Sequence, residues 1–206
     1  MQRFSISTRL IAPFALGAAF TAAPAAAPDA ALAQVQGALS ATQSMTAGFV
    51  QTDGKNRSLK GMLSLKRPGK IRFEYGGGAN MLLVGDGQRL TFVDYDVGQK
   101  SSWPIAKSPL AVLLAANPDL GRIAKIMPTA DPRVVLVRAR DARRPEFGTL
   151  LLAFNRNAAA PGGLMLEGWT AFDAQNKRTT VKLDGQRFNV AIAETAFTFA
   201  EPKKRR

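Results

Sequence analysis

Two periodicities divide this chain: apolar residues recur at helical spacing as far as Met45, and alternate with polar ones from Ala47 onward. Within the alanine-rich stretch Asp29 to Met45, Leu32, Val35 and Leu39, followed by Thr42 or Gln43, stand three and four residues apart. That spacing predicts an amphipathic helix with a narrow apolar stripe, opened by Pro28-Asp29. After it, Ala47 to Thr52 alternates and runs into Asp53-Gly54, as a strand entering a tight turn does.

Strands are predicted next at Ser58 to Lys66 and Lys70 to Tyr75, separated by Arg67-Pro68-Gly69, where Pro and Gly enforce a change of direction. Met81 to Val84, Arg89 to Tyr95 and Gly98 to Trp103 continue the pattern, the first two joined through Asp86-Gly87, a pair suited to positive φ in a hairpin turn. Ser108-Pro109, then Leu110, Val112, Leu113 and Leu114, interrupt it. They predict a capped helix over Ser108 to Asn117, with a further helical turn at Asp119 to Lys125. Alternation resumes at Arg133 to Arg140, Gly148 to Asn155, Gly163 to Phe172 and Lys177 to Leu183, with a short last strand at Ala196 to Phe199. About eleven strands at regular spacing, with no polar linker between them, predict one mainly β (α+β) domain built on a large antiparallel sheet that curls.

The first 27 residues do not belong to that pattern. Arg3 and Arg9 precede an apolar run from Leu10 to Phe20 and a small-residue end at Ala25-Ala26-Ala27, the layout of a secretory signal peptide. Residues 1–27 are therefore read as a leader and 28–206 as the single domain. Cleavage is placed near Ala25 to Ala27, although Ala31-Leu32-Ala33 offers a second small-x-small site. The chain has no cysteine, so disulfides, thiolate metal sites and lipid attachment through a thiol are excluded.

Charge and chemistry narrow the function. With 28 Lys and Arg against 15 Asp and Glu, the protein is strongly basic, which suits nucleic acid, anionic lipid or an acidic partner; export argues against nucleic acid. The compact cluster Lys203-Lys204-Arg205-Arg206 reads as a solvated end. Histidine is absent as well, which removes the commonest general base and, with cysteine gone, Ser-His, Cys-His and most zinc arrangements. Asp94 and Asp96 share a strand face but sit where Asp is a turn former, and Gly76-Gly77-Gly78 lacks the Lys and Ser or Thr of a phosphate cradle. The chain is expected to be a non-enzyme with no cofactor and no metal.

The apolar faces carry more information. Gly61, Leu63 and Leu65 share one strand face, as do Ile71, Phe73 and Tyr75, Leu150, Leu152 and Phe154, and Leu164 and Leu166. Helices laid over that face would leave either a packed core or an apolar cavity; alternation by itself fits the packed core better. Arg67 has the parity of Leu63 and Leu65 and either points inward, where it needs acceptors, or is solvated beyond the strand end.

Phe49-Val50-Gln51, Gly61-Met62-Leu63-Ser64-Leu65-Lys66-Arg67-Pro68, Arg72-Phe73-Glu74-Tyr75, Leu83-Val84-Gly85-Asp86-Gly87, Ser108-Pro109-Leu110 and Phe197-Thr198-Phe199, in that order, resemble the LolA family of periplasmic outer-membrane lipoprotein carriers. The resemblance covers nearly all of the domain. It implies an incomplete, half-open antiparallel β-barrel of about eleven strands with a helical lid, enclosing a cavity for lipoprotein acyl chains. It assigns Arg67 as the latch that bonds lid backbone at positions matching Leu39, Leu113 and Leu114. Phe49, Leu63, Leu65, Ile71, Phe73, Leu83, Phe92, Leu152 and Phe154 are the expected cavity lining. Implied partners are lipoproteins, an inner-membrane ABC-type releasing complex and an outer-membrane acceptor; the basic charge adds an anionic membrane surface as a further candidate, and the chain is expected to act as a monomer in the periplasm. A different periplasmic lipid- or polymer-binding half-barrel is the alternative. A LolB-like acceptor is disfavoured by the missing lipid-attachment cysteine. Unlike the resemblance, the Gly76 to Gly78 loop, the Pro161-Gly162-Gly163 turn and the strong positive charge are particular to this chain.

Overall fold

The computed structural model describes residues 28–203; the predicted leader and residues 204–206 of the terminal basic cluster lie outside them. A helix α1 (Pro28–Ala41) leads into six consecutive strands, β1 (Ser44–Asp53), β2 (Ser58–Lys66), β3 (Lys70–Tyr75), β4 (Met81–Asp86), β5 (Arg89–Asp94) and β6 (Gln99–Pro104). A short helix α2 (Ala111–Leu114) separates these from β7 (Ala124–Met127), β8 (Val134–Ala139), β9 (Thr149–Arg156), β10 (Leu164–Phe172) and β11 (Arg178–Phe188). Each run is an antiparallel meander, and the two join because β1 pairs with β11, so the sheet order is β6-β5-β4-β3-β2-β1-β11-β10-β9-β8-β7. Its two edges, β6 and β7, are not paired with each other, and the barrel is open.

The sheet curls strongly. Phe73 on β3 and Trp169 on β10 lie four strands apart in that order, roughly 19 Å across a flat sheet at ~4.8 Å per strand; their rings are 6.1 Å apart, edge to face. Inward-facing side chains from both meanders therefore meet in one core, from Leu90 and Phe49 to Val137 and Phe154.

Four elements differ from the sequence pattern. The first helix stops at Ala41, not Met45, because Met45 pairs with Leu65 and enters the inner face of the sheet. Asn189 fixes that boundary, its side chain accepting from Gln43 N at 2.9 Å and donating to Ala41 O at 3.1 Å. Of the helical turn predicted over Asp119 to Lys125, the last two residues belong instead to strand β7; four residues are too few to show a period, and pairing with β8 decides. Conversely, Ala196 to Phe199 is no strand: a 3₁₀ turn covers Glu194–Phe197. The second helix is also shorter than predicted, since Ala115 is already extended.

The Pro161–Gly163 turn supports α1. Gly162 adopts φ 65°, and a Cβ there would lie 2.7 Å from Ala38 Cα, so glycine both permits the turn and lets it touch the helix. Arg156 Nη1 donates to Gln34 Oε1 at 2.7 Å beside it.

On the outer face, the chain after β11 crosses β2 to β6 as a strap. Phe197 is buried with Leu82, Val84 and Val93, which explains why β4 and β5 are apolar on both faces. Lys66 Nζ donates to Ile192 O, Arg72 Nη1 to Ala196 O and Thr198 O, and Tyr95 OH to Ala200 O, at 3.0–3.2 Å. Hydrogen bonds from Lys66 and Lys70 hold the Glu194 carboxyl down to about 2 from 4.5. Since that value is below the ordinary one, the anchor is complete above pH 4.5 and lost as pH falls through about 2. Acidification across that interval is expected to lower amide-exchange protection over Ile192 to Phe199 before that of β1 and β2, and Glu194→Gln to remove the pH dependence; unchanged protection in the strap would contradict the anchor.

Candidate functional site: a latched lid over an apolar interior

Arg67 follows β2 and keeps its inward parity, which carries its side chain into the space between the sheet and the helices. Only 7% of it is exposed. Among the described residues its guanidinium has no carboxylate partner; Nε donates to Leu113 O at 2.9 Å and Nη1 to Thr42 O. Backbone bonds flank it: Arg67 N donates to Gln43 O and Gly69 N to Leu114 O, both at 2.8 Å. Burial lowers the Arg67 pKa to about 10, so the group is still charged at neutral pH, and charge-assisted bonds to carbonyls offset part of its desolvation.

The turn after β2 thereby ties together the end of α1 and the end of α2. Of the lid positions, Leu113 accepts from Arg67 itself, Leu114 from the neighbouring Gly69, and Leu39 lines the same small gap as the arginine without serving as its acceptor; Thr42 takes that place. Thr42 could have been found from the sequence only as the first residue past a helix end, since a backbone acceptor leaves no side-chain signature.

Beneath the latch the interior is closed. Phe49, Leu63, Leu65, Ile71, Phe73, Leu152 and Phe154 are each at most 2% exposed and pack on one another and on Leu39, Leu113 and Leu114. The gap under Arg67, walled by Leu39, Met45, Leu65 and Phe154, measures about 20 Å³, room for about one water. An aromatic cluster fills the centre, with Phe49 edge-on to Phe73 at 5.1 Å and to Tyr75 at 5.3 Å.

Leu83 and Phe92 are different. They are half-buried and open into two recesses at the β4–β6 end. One, about 410 Å³, is formed by Leu59, Tyr75, Met81 and Phe92, with Asp53 and Arg57 at the rim. The other, about 350 Å³, is formed by Leu83, Trp103, Leu110, Phe147 and Trp169. Gln51 borders both and accepts from Tyr75 OH at 3.0 Å; burial raises the Tyr75 pKa to about 12, so the phenol stays a neutral donor. Met81 and Trp103 were missed among lining residues although they share the inward parity of Leu83 and Leu90. Each recess is of ligand-pocket size. Among the described residues no group of three or more His, Cys, Asp or Glu is placed to hold a metal.

A family profile described as "Outer membrane lipoprotein carrier protein LolA" matches residues 40–200. The outer-membrane lipoprotein carrier protein of Chromobacterium violaceum is 31% identical over 90% of this chain and 90% of its own. That of Cupriavidus necator is 30% identical, over 98% and 97%. Among solved structures, a LolA superfamily protein from Nitrosomonas europaea aligns with a TM-score of 0.48 at 10% identity, covering 84% of this chain and 99% of that one.

Replacing Arg67 tests the latch. Arg67→Leu removes a buried charge, but leaves two carbonyls without donors at roughly 1–3 kcal/mol each. These effects oppose, so the expected result is local: amides of Leu113 to Ala115 exchange at least about tenfold faster, with global stability changed by less than about 2 kcal/mol. Exchange at α2 equal to the parent's would show that Arg67 does not hold it.

Proposed function

Because the chain belongs to the LolA family of outer membrane lipoprotein carrier proteins, we propose that its closed interior is the resting form of a cradle for lipoprotein acyl chains, which it carries across the periplasm. The observation that carries the reading is the buried Arg67, bonded to the backbone of both lid segments and to no carboxylate. Backbone carbonyls exchange one donor for another, or for water, at low net cost. A latch of that kind can open without leaving an unpaired carboxylate behind it.

Acyl chains enter from the half-open end, where Met81, Leu83, Phe92 and Trp103 already present apolar surface. Advancing inward, they displace α2 and α1 and replace the lid's contacts with Phe49, Phe73 and Phe154 by their own. Burying methylene groups supplies the driving force, at about 0.8 kcal/mol each, and re-closure of the lid offsets part of it. Cargo is thus held firmly enough to stay in water and loosely enough to leave for a site that buries the chains better. The cycle asks for no covalent step. Its donor is an inner-membrane ABC-type releasing complex and its recipient an outer-membrane acceptor.

The mature protein incubated with spheroplasts is expected to release acylated lipoprotein into solution as a one-to-one complex visible by native mass spectrometry, with a shift in Trp169 emission. No capture, where a carrier of known activity captures the same cargo, would refute the reading. Arg67→Leu is expected to accumulate cargo and to transfer at least about tenfold less of it to an acceptor, since a lid that cannot re-close no longer drives release. Transfer at the parent's rate would remove Arg67 from the cycle.

A further inference from the structure

The two halves of the outer face differ in a way the carrier reading leaves unexplained. Over the Lys66 end of β2 and over β3 to β6 that face is covered by the chain's own strap, and most of its cations are paired: Lys66 and Lys70 by Glu194, Arg72 by Glu74, Lys100 by Glu201, while Arg89 bonds Ser102. Beyond the Ser44 end of β1, which Asn189 and Val190 bond, the strap makes no hydrogen bond to that face over β1 and β7 to β11.

Strand register arranges the bare half in lateral rows. One row runs from Lys60 through Val50, Lys182 and Gly168. It continues through Ala153 and Leu136 to Met127. The adjacent row passes Thr52, Thr180, Thr170 and Leu151 and ends in Arg138 and Lys125. These rows hold four cations and no carboxylate. Lys60, Lys182, Arg138 and Lys125 are all exposed, and none makes an ion pair among the described residues. Arg138 and Lys125 stand directly opposite each other, an arrangement that costs stability in an isolated sheet. Between the cations, Leu136, Leu151, Ala153 and Thr170 floor a shallow recess of about 420 Å³. Two carboxylates border the rows: Glu167 lines the same recess, and Asp184 follows Lys182 by two residues on β11.

We propose that this face is a docking surface for an anionic phospholipid bilayer. Charge complementarity is the first reason: Lys125 and Arg138, paired across β7 and β8 with no carboxylate in their row, present neighbouring positive charges that an anionic headgroup layer neutralises. The second is the character of the floor. Neither row contains an aromatic side chain, the usual anchor of a protein interface, whereas small apolar and hydroxyl groups suffice against a headgroup layer. The choice of a bilayer as occupant rests on the carrier reading; the charge arrangement does not.

The test is sedimentation of cargo-free mature protein with vesicles of phosphatidylethanolamine and phosphatidylglycerol, and with neutral phosphatidylcholine vesicles. Binding to the anionic vesicles alone is expected, falling about tenfold between low and high salt. The double variant Lys125→Glu, Arg138→Glu should bind about tenfold or more weaker. Arg89→Glu with Lys203→Glu, the same charge change elsewhere, should bind within about twofold of the parent. The salt series on unmodified protein keeps the test decisive if a variant misfolds. Equal loss in both variants, equal binding to neutral vesicles, or tighter binding to soluble polyglutamate than to anionic vesicles would each overturn the proposal. Failure to bind vesicles with cargo capture intact sinks only the docking surface; vesicle binding without capture sinks only the carrier reading.

Discussion

A guanidinium group buried without a carboxylate must find carbonyl oxygens, and this requirement at Arg67 organises the molecule. Its acceptors, Thr42 and Leu113, belong to segments 25 and 46 residues away in the chain, and neither segment is held to the sheet by a ladder. Desolvation of the charge is expensive. Satisfying it on the lid, and not on the sheet, converts that cost into a dependence: the arginine is at ease only while both lid segments are in place. The interior beneath it is filled, apart from a gap of about 20 Å³.

The sheet makes such a device possible by curling. Pairing the first strand with the last puts β1 and β11 at the centre of the order and leaves β6 and β7 as edges. The segment between those edges, which contains α2, then has to cross the opening. A closed barrel would have removed both edges and with them the path by which a lid could move. The opening also accounts for the contrast between Leu83 and Phe92, half-exposed at the β4–β6 end, and the other inward residues, which meet partners from the opposite meander.

Outside the barrel the same alternation that fills the interior decides where charge accumulates. Leu82, Val84 and Val93 face outward and are covered by the strap around Phe197. The opposite half keeps a recess floored by Leu136, Leu151, Ala153 and Thr170, beside cations that make no ion pair among the described residues. Net charge alone, at +13 for the full chain, says nothing of this distribution; the register of β1 with β11 and of β7 with β8 produces it.

Local sequence was enough for β2 and β3, whose ends coincide with a Pro-Gly turn, and for the inward parity of Phe49, Leu63, Phe73 and Phe154, because side-chain direction in a strand is set by the backbone. It was enough also to mark Arg67 as a charge on an apolar face. It did not distinguish β7 from a helical turn, nor the strap from a strand, since segments of four residues take their form from what they pair with. Whether the apolar face encloses a filled core or a cavity, which carbonyls receive Arg67, and which cations go unmatched all depend on groups far apart in the chain. Alternation fixes which side of the sheet a residue faces; only the curl of the sheet and the crossing of the lid determine what it meets there.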